Sequence, residues 1–384
     1  MDRTLTVGIG SATEHLGVDQ VVDLGPLHPA AHGAYRLRLR VGPDAVVREA
    51  VPLVGHLHRG AEKLYEVRDY RQVMALANRH DWWAAFANEL LVAHAVEQMT
   101  GMTPPPRAVQ LRVLLCELTR AMAHLGFLTP LTRDPAAPVT NTAGTDAAVA
   151  GREALQRVLE EASGGRIHFM ANRVGGLRED VPAAWFDHVA AALDTVTTAA
   201  AAISACTVED AEFVGRHTGA GVLSLADATA LGVSGPVGRA SGLDVDLRRD
   251  DPAPGYDQLA PLRTITRTTG DALARVACQL DEVTLAVQLA RQCLIDVPDG
   301  PVNVRLPSTI APPEGSVYVW GEAPLGIAGV HLVSRGERTP WRLRLRTASF
   351  NNVQALSCLL PGTSLEQLPV ALASFAVVVG DIDK

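Results

Sequence analysis

Two short segments near the start of the chain carry the residue types best suited to chemistry. The first, Gly25–Gly33, holds His28 and His32, and the second, Gly55–Lys63, holds two more histidines with an arginine, a glutamate and a lysine. Histidine titrates near neutrality, with a pKa of roughly 6.5, so it can donate a hydrogen bond, release a proton and be recharged. The flanking proline and glycine predict a loop around His32. Loops present reactive side chains, so the pattern favours proton transfer; the alternative is a histidine that caps backbone groups of its own loop.

These segments and a series of later ones resemble, in order along the chain, the sequence of the D subunit of respiratory complex I, which belongs with the large subunits of nickel-iron hydrogenases. So many ordered matches are more specific than any single motif. The later matches are Asn78–Trp82, Cys116–Arg120, Ser163–His168, Ser234–Pro236, Arg291–Cys293 and Ser349–Leu356.

The resemblance implies reduction of a quinone, whose carbonyl oxygens need hydrogen-bond donors and a source of protons. By this resemblance, His32 contacts the quinone headgroup and supplies protons, and His28 belongs to the same quinone-binding loop. Asp134, ten positions beyond His124, matches an acidic residue that is linked to such a histidine in the family. A carboxylate can fix the tautomer of the imidazole and relay its proton. Taken alone, an aspartate before a proline is more often a turn residue.

Trp82 departs from the family pattern, because it stands where a quinone-contacting tyrosine normally follows Arg79, a variable residue and Asp81. Indole donates one hydrogen bond but is no practical proton source. If the headgroup binds here, we expect Trp82 to supply stacking area and one donor, which leaves His32 to carry protonation. The alternative is that Trp82 only packs the start of a helix beside Trp83.

Arg79 and His168 match family residues that lie near the terminal iron-sulfur cluster of the neighbouring B subunit. Positive or titratable groups beside a cluster raise its reduction potential and couple it to pH, which fits both residue types. The alternative is structural, with Arg79 paired to Asp81 or Glu62 and His168 satisfied at a helix end.

Nickel chemistry is not expected. Hydrogenases place cysteine pairs near both ends of their large chain, and here Asp81, Ala84 and Gly380–Asp383 occupy those places. Nickel is held by soft sulfur ligands, which carboxylates replace poorly, so we predict no metal site. Gly8–Gly10 also lacks the third glycine of a dinucleotide fingerprint, so NADH is expected to bind to a partner.

Leu325 and Ile327 replace an arginine and a glutamate that the family usually carries, which indicates a divergent paralogue. Other matched residues are interpreted as internal ion pairs and turns. They are His28, Glu62, Lys63, Arg112, Arg120, Gly270, Asp271 and Arg275.

The composition is typical of an ordinary globular protein: of the 384 residues, 47% are hydrophobic and 20% are charged. A net charge of -8 gives no basis for nucleic-acid binding, which depends on dense basic patches. The five cysteines show no metal-binding spacing and are expected to be reduced. No signal-peptide pattern is visible in Met1–Val18, and the alanine-rich stretch around Thr195–Cys206 falls short of a membrane span, so membrane attachment is expected through partners.

Periodicity predicts the elements that position these residues. Alternation over Tyr35–Val41 predicts a strand that pairs with Ala45–Val54, and a second alternating run, Trp341–Arg346, predicts a C-terminal sheet before a last helix and a tail. Three-to-four spacing of apolar residues and glycine or proline stops predict helices between them. Those helices are Asp81–Gly101, Arg107–Leu128, Asp146–Ala162, Pro182–Cys206 and Gly270–Ile295.

We therefore expect a single α+β domain over 1–384, with an N-terminal antiparallel hairpin or small sheet (1–60), a central buried helix bundle (61–300) and a C-terminal α/β region with a sheet (301–384), like that of a nickel-iron hydrogenase large subunit. The resemblance implies the D subunit of a proton-translocating NADH:quinone oxidoreductase, peripheral on the cytoplasmic side of the cell membrane. Its implied partners are the B, C and H subunits, with NAD(H), FMN and iron-sulfur clusters in partner subunits and quinone as substrate. The alternatives are a non-catalytic structural paralogue and a component of a ferredoxin-linked quinone oxidoreductase.

Overall fold

The N-terminal region forms a four-stranded sheet. The computed structural model describes residues 2–9, 20–24, 28–132, 142–260 and 262–384, with the backbone alone at 20–23. The strands pair in the order β2-β1-β3-β4, and β1 and β2 run parallel. The predicted antiparallel hairpin is confirmed as β3 and β4, but the prediction missed the two earlier strands and the mixed pairing. The strands are β1 (Arg3–Ile9), β2 (Gln20–Asp23), β3 (Tyr35–Val41) and β4 (Val47–Leu53).

Alternation explains which face of β3 is buried. Tyr35, Leu37 and Leu39 are at most 1% exposed, whereas Arg38 and Arg40 face solvent. Successive side chains of a strand point to opposite faces, so the apolar set covers the core while Arg38 and Arg40 lie on the solvated face.

The middle of the chain is helical. Two strands of two residues, β5 (Asn172–Arg173) and β6 (Gly176–Leu177), interrupt it. The helices are α1 (Ala61–Tyr65), α2 (Tyr70–Ala77), α3 (Ala85–Thr100), α4 (Pro106–Leu128), α5 (Ala143–Ser163), α6 (Trp185–Cys206), α7 (Ala211–His217), α8 (Leu225–Ala230), α9 (Gly235–Ala240), α10 (Leu247–Asp250) and α11 (Ala272–Cys293).

Helix α4 forms the axis of the bundle. It starts with Pro106 at the first helical position, where the missing amide costs nothing, and α3 before it ends at Gly101 in the left-handed conformation (φ +68°). Nearly all of its residues from Leu111 onward are buried, against α5 on one side and α11 on the other. Such wide burial encloses four charged or basic side chains as well: Arg112, Glu117, Arg120 and His124.

Helix α6 is long and apolar enough to cross a membrane by length and composition, which corrects the expectation that this stretch falls short. Only 33% of its most apolar window is buried, and the helix packs along α5. Its exposed face carries Asp187, His188 and Asp194. Because charged groups are costly in hydrocarbon, we interpret α6 as an amphipathic surface helix of the bundle.

The C-terminal region adds an antiparallel sheet of order β7-β8-β9 and short helices that return to the N-terminal sheet. The predicted strand is confirmed as β9, whereas the β7–β8 hairpin before it was not predicted, and several short helices take the place of one last helix. The elements are β7 (Gly315–Ala323), β8 (Gly326–Ser334), β9 (Arg342–Arg346), α12 (Ala348–Gln354), α13 (Leu356–Leu359), α14 (Leu368–Ala373) and α15 (Val379–Ile382).

Candidate functional site

The loop that carries His32 is held against the C-terminal end of the chain. The amide of Val379 donates to the His32 carbonyl (3.0 Å). Gly33 has φ +110°, and a Cβ there would lie 2.5 Å from the Val379 Cβ, so both its conformation and its space require glycine. His32 is therefore fixed between the N-terminal sheet and the start of α15.

Two aromatic rings enclose the His32 imidazole. Phe127, at the end of α4, lies 4.2 Å from it between ring centroids, and Trp83, just before α3, lies 6.0 Å away edge-on. The Trp83 indole nitrogen donates a hydrogen bond to His32 Nδ1 (3.2 Å). Because an indole N–H only donates, Nδ1 is unprotonated and the ring proton is on Nε2. Nε2 is buried and makes no hydrogen bond with any described residue.

Burial lowers the pKa of His32 to about 4. The Pro29 carbonyl opposes this effect, and the positive charge of Arg152 adds a smaller lowering. At pH 7 roughly one ring in a thousand is then protonated. Arg152 lies with its guanidinium 5.3 Å from the centre of the Trp83 ring. The site thus offers a neutral N–H donor near a cation, a combination suited to an oxygen atom that gains negative charge.

Trp82 does not contact His32 through a hydrogen bond; its neighbour Trp83 does. Trp82 packs on an apolar cluster that contains Phe127 and Leu325, and a Cβ at Gly380 would lie 2.8 Å from its ring. Leu325 is 1% exposed, so an apolar residue suits this position. Trp82 and Leu325, both interpreted from the sequence as departures from the family pattern, therefore lie in one cluster with Phe127.

Asp81 and Asp381, from the two ends of the chain, lie close enough for their charges to interact. Asp81 caps the turn into α3 by accepting from the amides of Trp83 (2.9 Å) and Ala84 (3.1 Å). Burial and then the nearby Asp381 raise the pKa of Asp81 well above its usual range. Asp381 also lies 3.4 Å from His80 Nε2. Within the described ranges no group of three or more His, Cys, Asp or Glu side chains is arranged to hold a metal ion.

Arg79 and His168 lie together around Asn78. Arg79 Nε donates to the Asn78 side-chain oxygen (2.8 Å), and His168 Nδ1 donates to the Asn78 carbonyl (3.0 Å). Asn78 is the C-cap residue of α2. The His168 ring is therefore hydrogen-bonded at the end of a helix, as the structural alternative for this residue states. Burial and then the charge of Arg79 lower the pKa of His168. Arg79 itself is exposed and remains accessible to a partner.

The remaining predicted site residues have separate positions. His28 Nδ1 accepts from the Ala30 amide (3.1 Å), so it shapes the loop before His32. Burial lowers the pKa of His28, and the Pro369 carbonyl opposes that effect. Asp134 lies outside the described residues.

Internal pairing is confirmed for residues that the sequence assigned to ion pairs. Arg112 binds Glu97 through two nitrogens (2.7 and 3.1 Å), Glu62 binds Arg342, and Arg120 binds Glu117.

The sequence did not identify Trp83, Phe127 or Arg152 as parts of the site. The adjacent tryptophans were a signal that an aromatic wall forms near residue 82. Which of the two reaches His32 depends on the entry of the chain into α3, and Phe127 and Arg152 come from other helices.

Fold and site together define an α+β protein in which a helix bundle and three small sheets, counted over the described residues, present a neutral imidazole within an aromatic pocket. A sequence model of the family described as "Respiratory-chain NADH dehydrogenase, 49 Kd subunit" matches residues 140–312 and 305–384. The whole chain is 53% identical to the second numbered D subunit of NADH-quinone oxidoreductase from Salinispora arenicola, over 98% of that protein.

Two further relatives carry the same subunit name. Identity is 50% to the second numbered D subunit of NADH-quinone oxidoreductase from Streptomyces griseus, over 99% of this chain and 95% of the relative. It is 34% to the NADH-quinone oxidoreductase D subunit of Geobacillus thermodenitrificans, over 95% of this chain and 98% of the relative. The chain belongs to the family of complex I D subunits, and it is a component of an oxidoreductase complex.

Proposed function

We propose that this chain forms the quinone-headgroup site of a proton-translocating NADH:quinone oxidoreductase. The observation that carries the proposal is the buried His32 Nε2–H, which has no partner among the described residues and lies between aromatic rings. A quinone carbonyl needs such a donor, and an aromatic wall suits a flat ring.

The imidazole acts first as a hydrogen-bond donor. Because His32 is neutral at pH 7, it holds no spare proton before electrons arrive. As electrons reach the quinone, negative charge on its oxygen raises the pKa of the facing histidine and favours proton uptake at the site. The Arg152 guanidinium supports the same charge. Two electrons and two protons convert the quinone to the hydroquinone.

Arg79 and His168 are proposed to face the terminal iron-sulfur cluster of the B subunit. Arg79 is exposed, both side chains are joined through Asn78, and Arg79 is only four positions before Trp83, which contacts His32. A cation and a titratable ring at that place would tune the potential of the cluster.

The other parts of the proposal follow from the family. The B, C and H subunits are the proposed contacts, and partner subunits would carry FMN, the iron-sulfur clusters and the NAD(H) site. Through them the chain would be held at the cytoplasmic side of the cell membrane. His28, Trp82 and Asp134 are proposed to complete the pocket, His28 by shaping the loop and Asp134 by relaying protons to His32.

Replacing His32 tests the proposal in the purified complex. We expect His32→Ala to reduce quinone reduction by roughly 10²-fold or more, the range for a positioned acid-base group, while electron transfer from the donor to ferricyanide persists. Replacing the exposed His56 with alanine is the matched control and should leave both rates unchanged. Undiminished quinone reduction in the His32 variant would show that the headgroup binds elsewhere.

A further inference from the structure

The two edges of the C-terminal sheet differ. At β9 the edge is covered, because the Leu345 amide donates to the Glu62 carboxylate (2.9 Å) and α1 packs along the strand. At β7 the outer edge pairs with no strand among the described residues, and only its C-terminal end is bonded, where Arg120 donates to two backbone carbonyls. Every second residue of an edge strand points its N–H and C=O away from the sheet. Residues 315–321 therefore keep a row of backbone groups without a partner in the described part of the chain.

The open edge lacks the features that usually protect such a strand. Residues 315–321 read Gly-Ser-Val-Tyr-Val-Trp-Gly, with no charged side chain and no proline, and their pairing with β8 has no bulge. Tyr318 is 47% exposed and Trp320 is 43% exposed, and their ring centroids lie 6.0 Å apart. Natural proteins interrupt exposed edges with lysine, proline or a bulge, because an uncharged, β-rich edge pairs with other chains. An edge left in this state indicates that another chain covers it.

A surface cleft of about 520 Å³ follows this edge. Tyr318, Val319 and Trp320, three consecutive residues, all line it. Because successive side chains of a strand point to opposite faces, a cleft that meets three in a row lies along the edge and not on one face. The other wall comes from α3, α4 and residues 251–256. Ligand-binding clefts measure about 300–1,000 Å³, so this one has room for the side chains of an added segment.

The charges in the cleft indicate the chemistry of its occupant. Arg112 and Glu97 neutralise each other (2.7 Å), and His94 is neutral at pH 7 because burial lowers its pKa to about 4. Asp251 accepts from the Trp320 indole N–H, and no ion pair joins its carboxylate to a described arginine, lysine or histidine. A carboxylate beside an exposed indole suits a lysine or arginine side chain, through charge-assisted hydrogen bonds and through attraction between a cation and an aromatic face.

We propose that an extended segment of another subunit of the complex adds to the open edge of β7 and places a lysine or arginine against Asp251 and Trp320. In this mode of recognition main-chain hydrogen bonds provide affinity, and pockets for alternate side chains provide specificity. A second copy of this β7 edge fits less well, because residues 315–321 carry no cation. The inference concerns assembly and does not depend on quinone reduction, so the two proposals fail independently.

Photochemical cross-linking in the assembled complex tests the contact. Tyr318→p-benzoylphenylalanine keeps an aromatic side chain at the edge, and mass spectrometry identifies the peptides that it labels. We expect a product with a segment of a different subunit that contains a lysine or arginine. The same group at Trp341, an exposed residue outside β7 whose ring lies under Arg335, should not label that segment. No cross-link from position 318, a cross-link within this chain or to a second copy of it, or a labelled segment without a basic residue would each overturn the proposal.

Charge reversal tests the chemistry of the contact. The measurement is the fraction of this chain that stays with its partner subunits on a native gel after washing at increasing salt. We expect Asp251→Arg to lower this retention by about tenfold or more, because like charges that face each other across an interface are costly. Asp251→Asn should lower it less and make it less dependent on salt, since the amide still accepts from the indole but carries no charge.

The controls separate a lost contact from a damaged fold. Asp251 is exposed, so both of its variants should keep the parental unfolding midpoint; if Asp251→Arg does not, Asp251→Asn decides. Glu366→Arg reverses another exposed carboxylate, before α14, and should leave retention unchanged. Parental retention and salt dependence in the folded Asp251 variants would overturn the proposal.

Discussion

The indole of Trp83 controls which nitrogen of His32 carries the proton. Its N–H donates and cannot accept, so Nδ1 is kept as a lone pair and the proton stays on Nε2. A hydrogen bond to the neutral form of a base disfavours its charged form. The low pKa of His32, about 4, thus has a neighbour that reinforces the effect of burial.

Removing that donor should raise the pKa of His32. In Trp83→Phe the imidazole loses a bond of about 1 kcal/mol that favours its neutral form, which corresponds to a rise of somewhat less than one in the pKa. The pH at which quinone reduction is half-maximal on the acid side should move up by that amount. Trp82→Phe, next to it, should leave the midpoint in place, and an equal change in both variants would contradict the assignment.

At the scale of elements, the contact between α4 and the segment before α3 depends on one glycine. A Cβ at Gly126 would lie 2.3 Å from Trp83 Cη2, because the indole lies flat against the helix there. Gly126→Ala must push the ring away from His32 or shift the helix, at a cost of about 1–3 kcal/mol for overpacking.

We therefore expect Gly126→Ala to weaken quinone reduction and to lower the unfolding midpoint together. Gly215→Ala is the control, since Gly215 also lies in a helix and a Cβ there meets nothing within 4 Å; it should be neutral or stabilising by about 0.5–1 kcal/mol. Enzyme assays and denaturant titration of both variants check the pair. Normal activity in Gly126→Ala would mean that the position of the indole is not critical.

Most long helices and strand β3 could be predicted from the sequence, but the tertiary contacts between elements could not. Spacing of apolar residues gave the long helices to within a few residues, and alternation gave β3 completely. The β7–β8 hairpin was missed although Val317 and Val319 alternate with Tyr318 and Trp320, because the buried side of β7 packs on α3 and only partly excludes solvent. The contact between His32 and Trp83 spans 51 positions, and local patterns carry no signal at that range.

At the scale of the whole molecule, neutral histidines that are buried or half-buried make stability depend on pH. The native pKa is about 4 for His32 and for His94 and about 3 for His124, mainly because burial disfavours the charged ring. The unfolded chain, with imidazoles near 6.5, binds more protons than the native chain below that pH. The stability from these groups is complete above about pH 6.5 and is lost as pH falls toward their native values.

Denaturant unfolding of the purified chain between pH 7 and pH 4 should show this loss, because each tenfold difference in proton affinity between the two states contributes about 1.4 kcal/mol. His124→Phe removes one of the titrating groups and should flatten the dependence, whereas replacement of the exposed His56 by phenylalanine should not. A midpoint that stays constant over this range would contradict the burial of neutral rings.

The contacts between the C-terminal segment and the N-terminal loops have a consequence for the order in which the chain folds. Asp383 accepts from the amides of Gly55 and Leu57 (both 2.8 Å), 328 and 326 positions away, and Val379 closes on Gly33. A chain emerging from the ribosome can fold its sheet and bundle early, since domains form from the N-terminal side during synthesis. The imidazole pocket is therefore complete only after residues 379–383 have been synthesised and have folded back onto the N-terminal loops.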